Sequence, residues 1–220
     1  MVGNSPHRRA QGAFHWICRV RTVNWESELM RTHDNATSMA SSSRTPGRRG
    51  VAWKINGLDA EGPWPELRGK LDLFGQFVGE WDIVEARYPK PDGTEIHRRG
   101  EIHFKWILEG RAVQDVWSII DEKTGKAVPA GTTVRFYDSN IDAWHSIWIS
   151  PRQHAVQPFI ARKVKGAIVL EGKTTDGSYP ERWTFSEIRP GSFRWHSEET
   201  HDGGKTWILT EEMKVRKKHA

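Results

Sequence analysis

The chain has 220 residues, 36% of them hydrophobic, with 33 Lys and Arg against 28 Asp and Glu. Residues 1–65 hold nine basic and five acidic side chains, leaving 24 basic and 23 acidic for the remainder, so that remainder is nearly neutral and lacks a field to steer it to nucleic acid. The single cysteine, Cys18, excludes a disulfide, a thiolate zinc site or a cysteine nucleophile later in the chain, and no stretch approaches the roughly 20 apolar residues that cross a bilayer.

Residues 1–50 are rich in Arg, Ser, Asn and Thr and bury too little apolar surface to offset ordering, so they are expected to form a disordered basic leader. The apolar stretch Ala13 to Val20 is short and interrupted by His15 and Arg19, which argues against a secretory signal and for a cytoplasmic protein. Residues 51–65 read as a linker, 66–216 as one domain and 217–220 as a tail. From Glu66 to Val78 the apolar positions Leu67, Leu71, Phe74 and Phe77 follow helical spacing, and Gly79 is a natural stop.

Everything afterwards alternates with the two-residue period of strands. Glu80 to Tyr88 opens the series, with a phase change at Ile83-Val84 that predicts a bulge. Glu95 to Leu108 places Ile102, Phe104, Trp106 and Leu108 on one face, and Arg111 to Ile120 returns with Val113, Asp115, Trp117 and Ile119. Further strands are expected at Thr132 to Tyr137, Ala143 to Ser150, Ala155 to Lys165, Ala167 to Thr175, Glu181 to Ile188, Ser192 to Thr200 and Lys205 to Val215. Ten short strands with no interleaved helix predict an all-β fold, most simply a ten-stranded antiparallel up-and-down barrel with one short N-terminal helix.

The segment Phe77-Val78-Gly79-Glu80-Trp81-Asp82-Ile83, after a short helix, resembles the Gly-x-Trp opening of lipocalin-like (calycin) barrels. Trp106 to Arg111, the Tyr137-Asp138 pair, Trp144 to Trp148, and Asp202 to Trp207 resemble an uncharacterised bacterial domain family with such a barrel. The resemblance covers residues 66–216 and implies a fold, with a Trp closing one barrel end, rather than an activity. Haem-binding nitrobindin-like barrels of the same superfamily carry a Gly-x-Trp-x-Gly-x-Gly opening and a late-strand His. Here Ile83 and Glu85 replace the second and third Gly, and the last strand lacks His, so haem is disfavoured and no cofactor is expected.

Twelve Trp are present, and eight fall in expected strands, where packing alone accounts for most of them. Trp144 and Trp148 share a face with Ser146, while His145 takes the other face with Ile147 and Ile149; two indoles with polar handles suit a small-molecule cavity. Trp117 joins them as a candidate. His196 lies between Arg194 and Glu198 on a face that reads as solvated, or as an acid–base unit if it points inward. Arg111 reads as a structural ion-pair partner near a barrel end or as an anion clamp. Histidines are scattered without metal-ligand spacing, so no metal is expected.

These features suggest a barrel that sequesters or carries a small apolar or aromatic metabolite, with Trp144, Trp148, Arg111, His145, Trp117 and His196 as candidate ligand-binding residues, and with neither nucleic acid nor membrane as partner. Two alternatives differ in what the barrel interior holds. Ionisable side chains pointing inward indicate a cofactor-independent cyclase, isomerase or hydrolase, and a barrel filled solid by its own Trp indicates a structural or interaction protein.

Overall fold

A computed structural model of the chain describes residues 57–218. The leader expected over residues 1–50 lies outside them. A 3-10 turn, Pro65–Leu67, leads into helix α1, Arg68–Gly75, which is shorter than the apolar spacing predicts. Its last turn tightens, with Phe77 N–H donating to Phe74 O at 3.1 Å and Val78 N–H to Gly75 O at 3.1 Å, the usual way a helix end satisfies its last carbonyls. Leu71 and Phe74 of α1 are fully buried.

Ten antiparallel strands follow: β1 (Gly79–Pro89), β2 (Glu95–Ile107), β3 (Ala112–Ile120), β4 (Ala127–Asp138), β5 (Ala143–Ser150), β6 (Ala155–Val164), β7 (Ala167–Lys173), β8 (Pro180–Arg189), β9 (Ser192–Glu199) and β10 (Ile208–Lys217). Each pairs with the next, and β1 pairs with β10 to close the barrel, with Trp81 opposite Lys217 and Ile83 opposite Val215. Closure leaves no unpaired sheet edge. The register slips between Ile83 and Glu85 against β10, where the alternation changes phase.

Most strand boundaries fall within two residues of expectation, and two strand starts differ by three or more for identifiable reasons. β4 starts at Ala127 rather than Thr132, because Pro129 and Gly131 read as a loop but pair with β3 across a register shift between Trp117 and Ser118, a bulge at which a strand tolerates proline. β10 starts at Ile208 rather than Lys205, because Asp202 accepts hydrogen bonds from the backbone N–H of Lys205 and Thr206, both at 2.9 Å, and holds that stretch as a loop.

Residues 57–65, expected as linker, are attached to the barrel. Leu108 N–H donates to Gly57 O at 2.7 Å, Ala60 N–H to Trp106 O at 3.0 Å, and Trp64 N–H to Gly110 O at 3.0 Å. Gly110 has φ +83°, and a Cβ there would sit 2.0 Å from Gly62 O, so glycine is required for the segment to lie against the β2–β3 connection.

Strand alternation sets the two rims. The β2–β3, β4–β5, β6–β7 and β8–β9 turns share the rim where α1 sits, and Lys70 of α1 bonds to Asp142 in the β4–β5 turn at 2.7 Å. Beneath α1 the barrel is filled. The Phe74 ring lies 4.9 Å from Trp144 and 5.9 Å from Phe185, the Phe77 ring lies 4.9 Å from Phe193, and Trp81 Nε1 donates to Phe77 O at 2.6 Å. These rings form an aromatic plug in which the Trp81 indole N–H is satisfied by the backbone.

Candidate functional site

Toward the opposite rim, packing gives way to a cavity of about 300 Å³. Its wall is drawn from β2, β3, β4, β5, β6, β8, β9 and β10, and Gln153, Thr174 and Thr175 from the β5–β6 and β7–β8 connections line it near the mouth. Four indoles line it. The Trp148 ring lies 5.7 Å from Trp117 and 6.3 Å from Trp183, and Trp183 lies 5.3 Å from Trp195. The position of Trp148 depends on Gly131: a Cβ at that residue would come within 2.3 Å of the indole Cη2.

The polar lining is organised rather than scattered. Arg135 Nη1 donates to Asp115 Oδ2 in a buried ion pair, and Asp115 Oδ1 accepts the Thr133 N–H at 3.2 Å. The Arg135 guanidinium also lies 5.1 Å from the Phe74 ring centroid, and 5.8 Å from both Phe104 and Phe185, so it forms the floor between plug and cavity. Arg135 Nε and, at the register position opposite on β5, Ser146 Oγ are buried with no hydrogen-bond partner among the described residues.

Glu181 on β8 accepts three hydrogen bonds, from Trp183 Nε1 at 2.8 Å, Ser197 Oγ at 2.7 Å and Gln157 Nε2 at 2.8 Å. That network fixes one edge of Trp183 and ties β8 to β6 and β9. Glu211 on β10 differs. Its Oε1 is cut off from solvent and has no hydrogen-bond partner among the described residues, although the Tyr88 hydroxyl reaches the carboxyl. Desolvation pushes the Glu211 carboxyl up to about 7, opposed by the Tyr88 contact and reinforced by the charge of Glu181. Desolvation, with the charge of Glu211 behind it, raises the Tyr88 hydroxyl above its ordinary range.

The six residues singled out from sequence divide into three groups. Trp117 and Trp148 line the cavity. Trp144 points inward but belongs to the plug, where Phe74 and Tyr137 cover it. Arg111, His145 and His196 lie away from the cavity: the Arg111 guanidinium stacks on Trp64 at 3.6 Å, His145 stacks on Phe136 and contacts Asp138 at 3.1 Å, and His196 sits 3.6 Å from Glu198 on the outer face. The histidines alternate with the inward residues Ser146, Trp195 and Ser197, and that alternation sends them out. Arg135, Glu181 and Glu211 were not singled out. A signal existed for the first, since Arg135 occupies the same phase as Thr133 and Tyr137 in a strand whose other face is Val134 and Phe136.

No protein-family model matches the chain, and no curated protein matches it either. Among solved structures, it is similar to Rv2717c from M. tuberculosis, with a TM-score of 0.48 and 9% identity over 71% of this chain and 99% of that one. It is also similar to the S-type phycobiliprotein lyase CpeS from Guillardia theta, with a TM-score of 0.46 and 12% identity over 68% and 92%. Among the described residues, no helix is long and apolar enough to cross a membrane.

Proposed function

We propose that this protein binds a compact aromatic or apolar molecule in the barrel cavity. One observation carries the reading: four indoles line a space of about 300 Å³ in one half of a barrel whose other half is filled by an aromatic plug. That volume lies at the lower end of the roughly 300 to 1,000 Å³ usual for small-molecule sites, which favours a small ligand over a large cofactor. A barrel serving only as a scaffold gains nothing from leaving such a space unfilled, since interiors otherwise pack to crystal-like density.

Intrinsic fluorescence tests the reading. A panel of small uncharged aromatics should quench emission saturably, with affinities on the order of micromolar for ligands with few polar anchors. Trp148→Phe should remove a large part of the ligand-dependent change. Trp144→Phe should leave it intact, because that indole sits in the plug. No saturable response from the panel overturns the reading.

A second reading, acid–base chemistry on the bound molecule, is favoured by Glu211, a carboxyl poised near 7 in the cavity wall. The cavity also holds Asp115, Arg135 and Glu181, so its lining is not the all-apolar one of a simple carrier. Asp115 and Glu181 are committed to hydrogen bonds that hold the wall together, which leaves Glu211 as the available group. Chemical conversion of a bound panel compound, abolished in Glu211→Gln, is the signature that separates this reading from carriage alone.

A further inference from the structure

The cavity wall carries an unequal set of charges. Its one guanidinium, Arg135, is ion-paired with Asp115, so that pair contributes little net field. Glu181 and Glu211 remain without a cationic side chain bonded to either. Glu199 at the mouth is drawn outward to His201 at 2.8 Å. An oxygen buried with no partner is costly, because desolvation is uncompensated until a donor arrives. Glu211 Oε1 is such an oxygen, on a side chain lining a cavity that four indoles line together with polar groups such as Thr133 and Gln157. Indoles attract cations through the negative face of the ring, and the attraction strengthens where water is excluded.

We propose that the cavity selects molecules bearing a protonated nitrogen on an aromatic or apolar body, the nitrogen donating to the Glu211 carboxylate on the side of Glu181 and the body lying among Trp117, Trp148, Trp183 and Trp195. This rests on the cavity-binding reading above and names the charge class of its ligand. The competing site, Arg135 Nε, is unpartnered too, but Asp115 already neutralises that guanidinium, and two further carboxylates oppose an incoming anion. Proton balance also favours a cation. A bound ammonium stabilises the ionised carboxylate and so displaces the proton that burial holds on Glu211. Tyr88 from β1 and Glu181 from β8 act on Glu211, and Glu199 from β9 lies in the same wall; Arg98 on β2, the cation that acts on Tyr88, is itself paired with Glu122 at 3.0 Å.

The test uses the full chain and three probes of nearly one shape: 2-naphthylmethylamine, 2-naphthylmethanol and 2-naphthoate, titrated by fluorescence and calorimetry. The amine is expected to bind at least about tenfold more tightly than the alcohol, and the carboxylate more weakly than either. The preference should grow as pH rises from about 5.5 to about 8, while the alcohol's affinity stays flat. Glu211→Gln, which keeps shape and loses charge, should bring amine and alcohol to within about twofold without weakening the alcohol. Should that variant fail to fold, the pH dependence in the native protein decides. Equal binding of amine and alcohol at pH 8 overturns the charge preference and leaves the cavity-binding reading standing. Tightest binding by naphthoate overturns it in favour of Arg135. Binding by none of the three defeats both readings.

Discussion

Arg135 on β4 donates to Asp115 on β3 inside the barrel, and the same guanidinium lies over the Phe74 ring of α1, so one side chain joins the aromatic plug to the floor of the cavity. Removing Arg135 alone strands a carboxylate at a position only 4% exposed. Arg135→Met should therefore cost roughly 3 to 5 kcal/mol in urea unfolding, whereas Arg135→Met with Asp115→Asn should cost clearly less than the sum of the two single changes. Additive costs in the cycle would mean that the pair is not coupled.

Trp81 seals the helix end of the barrel at 1% exposure, with its indole N–H bonded to Phe77 O at 2.6 Å. Trp81→Ala should destabilise by roughly 3 to 5 kcal/mol, as large-to-small core changes of aromatic residues do. A loss under about 1 kcal/mol would show that α1 and the neighbouring phenylalanines close over the gap.

Gly131 controls the cavity from outside the chemistry. Gly131→Ala places a methyl group within 2.3 Å of the Trp148 indole and 2.7 Å of Ile149 O, so ring and strand must yield. The expected cost is about 1 to 3 kcal/mol, together with a changed emission maximum and weaker quenching by aromatic probes. Unchanged emission and probe affinity would argue that Trp148 has room to move without reshaping the site.

Glu211 makes stability depend on pH in the direction opposite to that of most carboxylates. Burial raises its carboxyl from 4.5 to about 7, so between those values the folded protein holds a proton that the unfolded chain has released. The contribution is present in full at low pH, falls as pH rises through that window and is flat above it, with a total of roughly 3 kcal/mol. Glu211→Gln should flatten the profile from pH 5 to 7 and be the more stable protein at pH 8. A native slope equal to that of the variant refutes this assignment.

The mouth is held by short acidic staples. Asp176 in the β7–β8 connection accepts from Thr174 Oγ1 at 2.6 Å and from both the N–H and the Oγ of Ser178, and these bonds hold its carboxyl down at about 2. Its contribution is therefore present above the ordinary aspartate range and lost as pH falls toward 2. Asp176→Ala should speed amide exchange at Ser178 and Tyr179 without shifting the melting temperature appreciably. Exchange rates matching the native protein would place the restraint in the strands instead.

The period of the sequence alone determined the architecture: two-residue alternation from Glu80 onward, punctuated by short turns, specifies ten strands, and the apolar spacing of Leu67, Leu71 and Phe74 specifies the one helix. It also determined which residues travel together, since Trp144, Ser146 and Trp148 had to share a face. What alternation cannot express is depth along the barrel axis. Trp144 and Trp148 are equivalent by period, yet one is sealed by Phe74 and the other walls the cavity, because only the folded chain places α1 at one rim. The same limit hid Glu181 and Glu211, which come from β8 and β10, 30 residues apart in sequence, and meet only through the strand between them. Charge near charge is a property of the closed barrel: β9 stands between the two carboxylates in the sheet, and strand pairing, rather than any local motif, brings them to one wall.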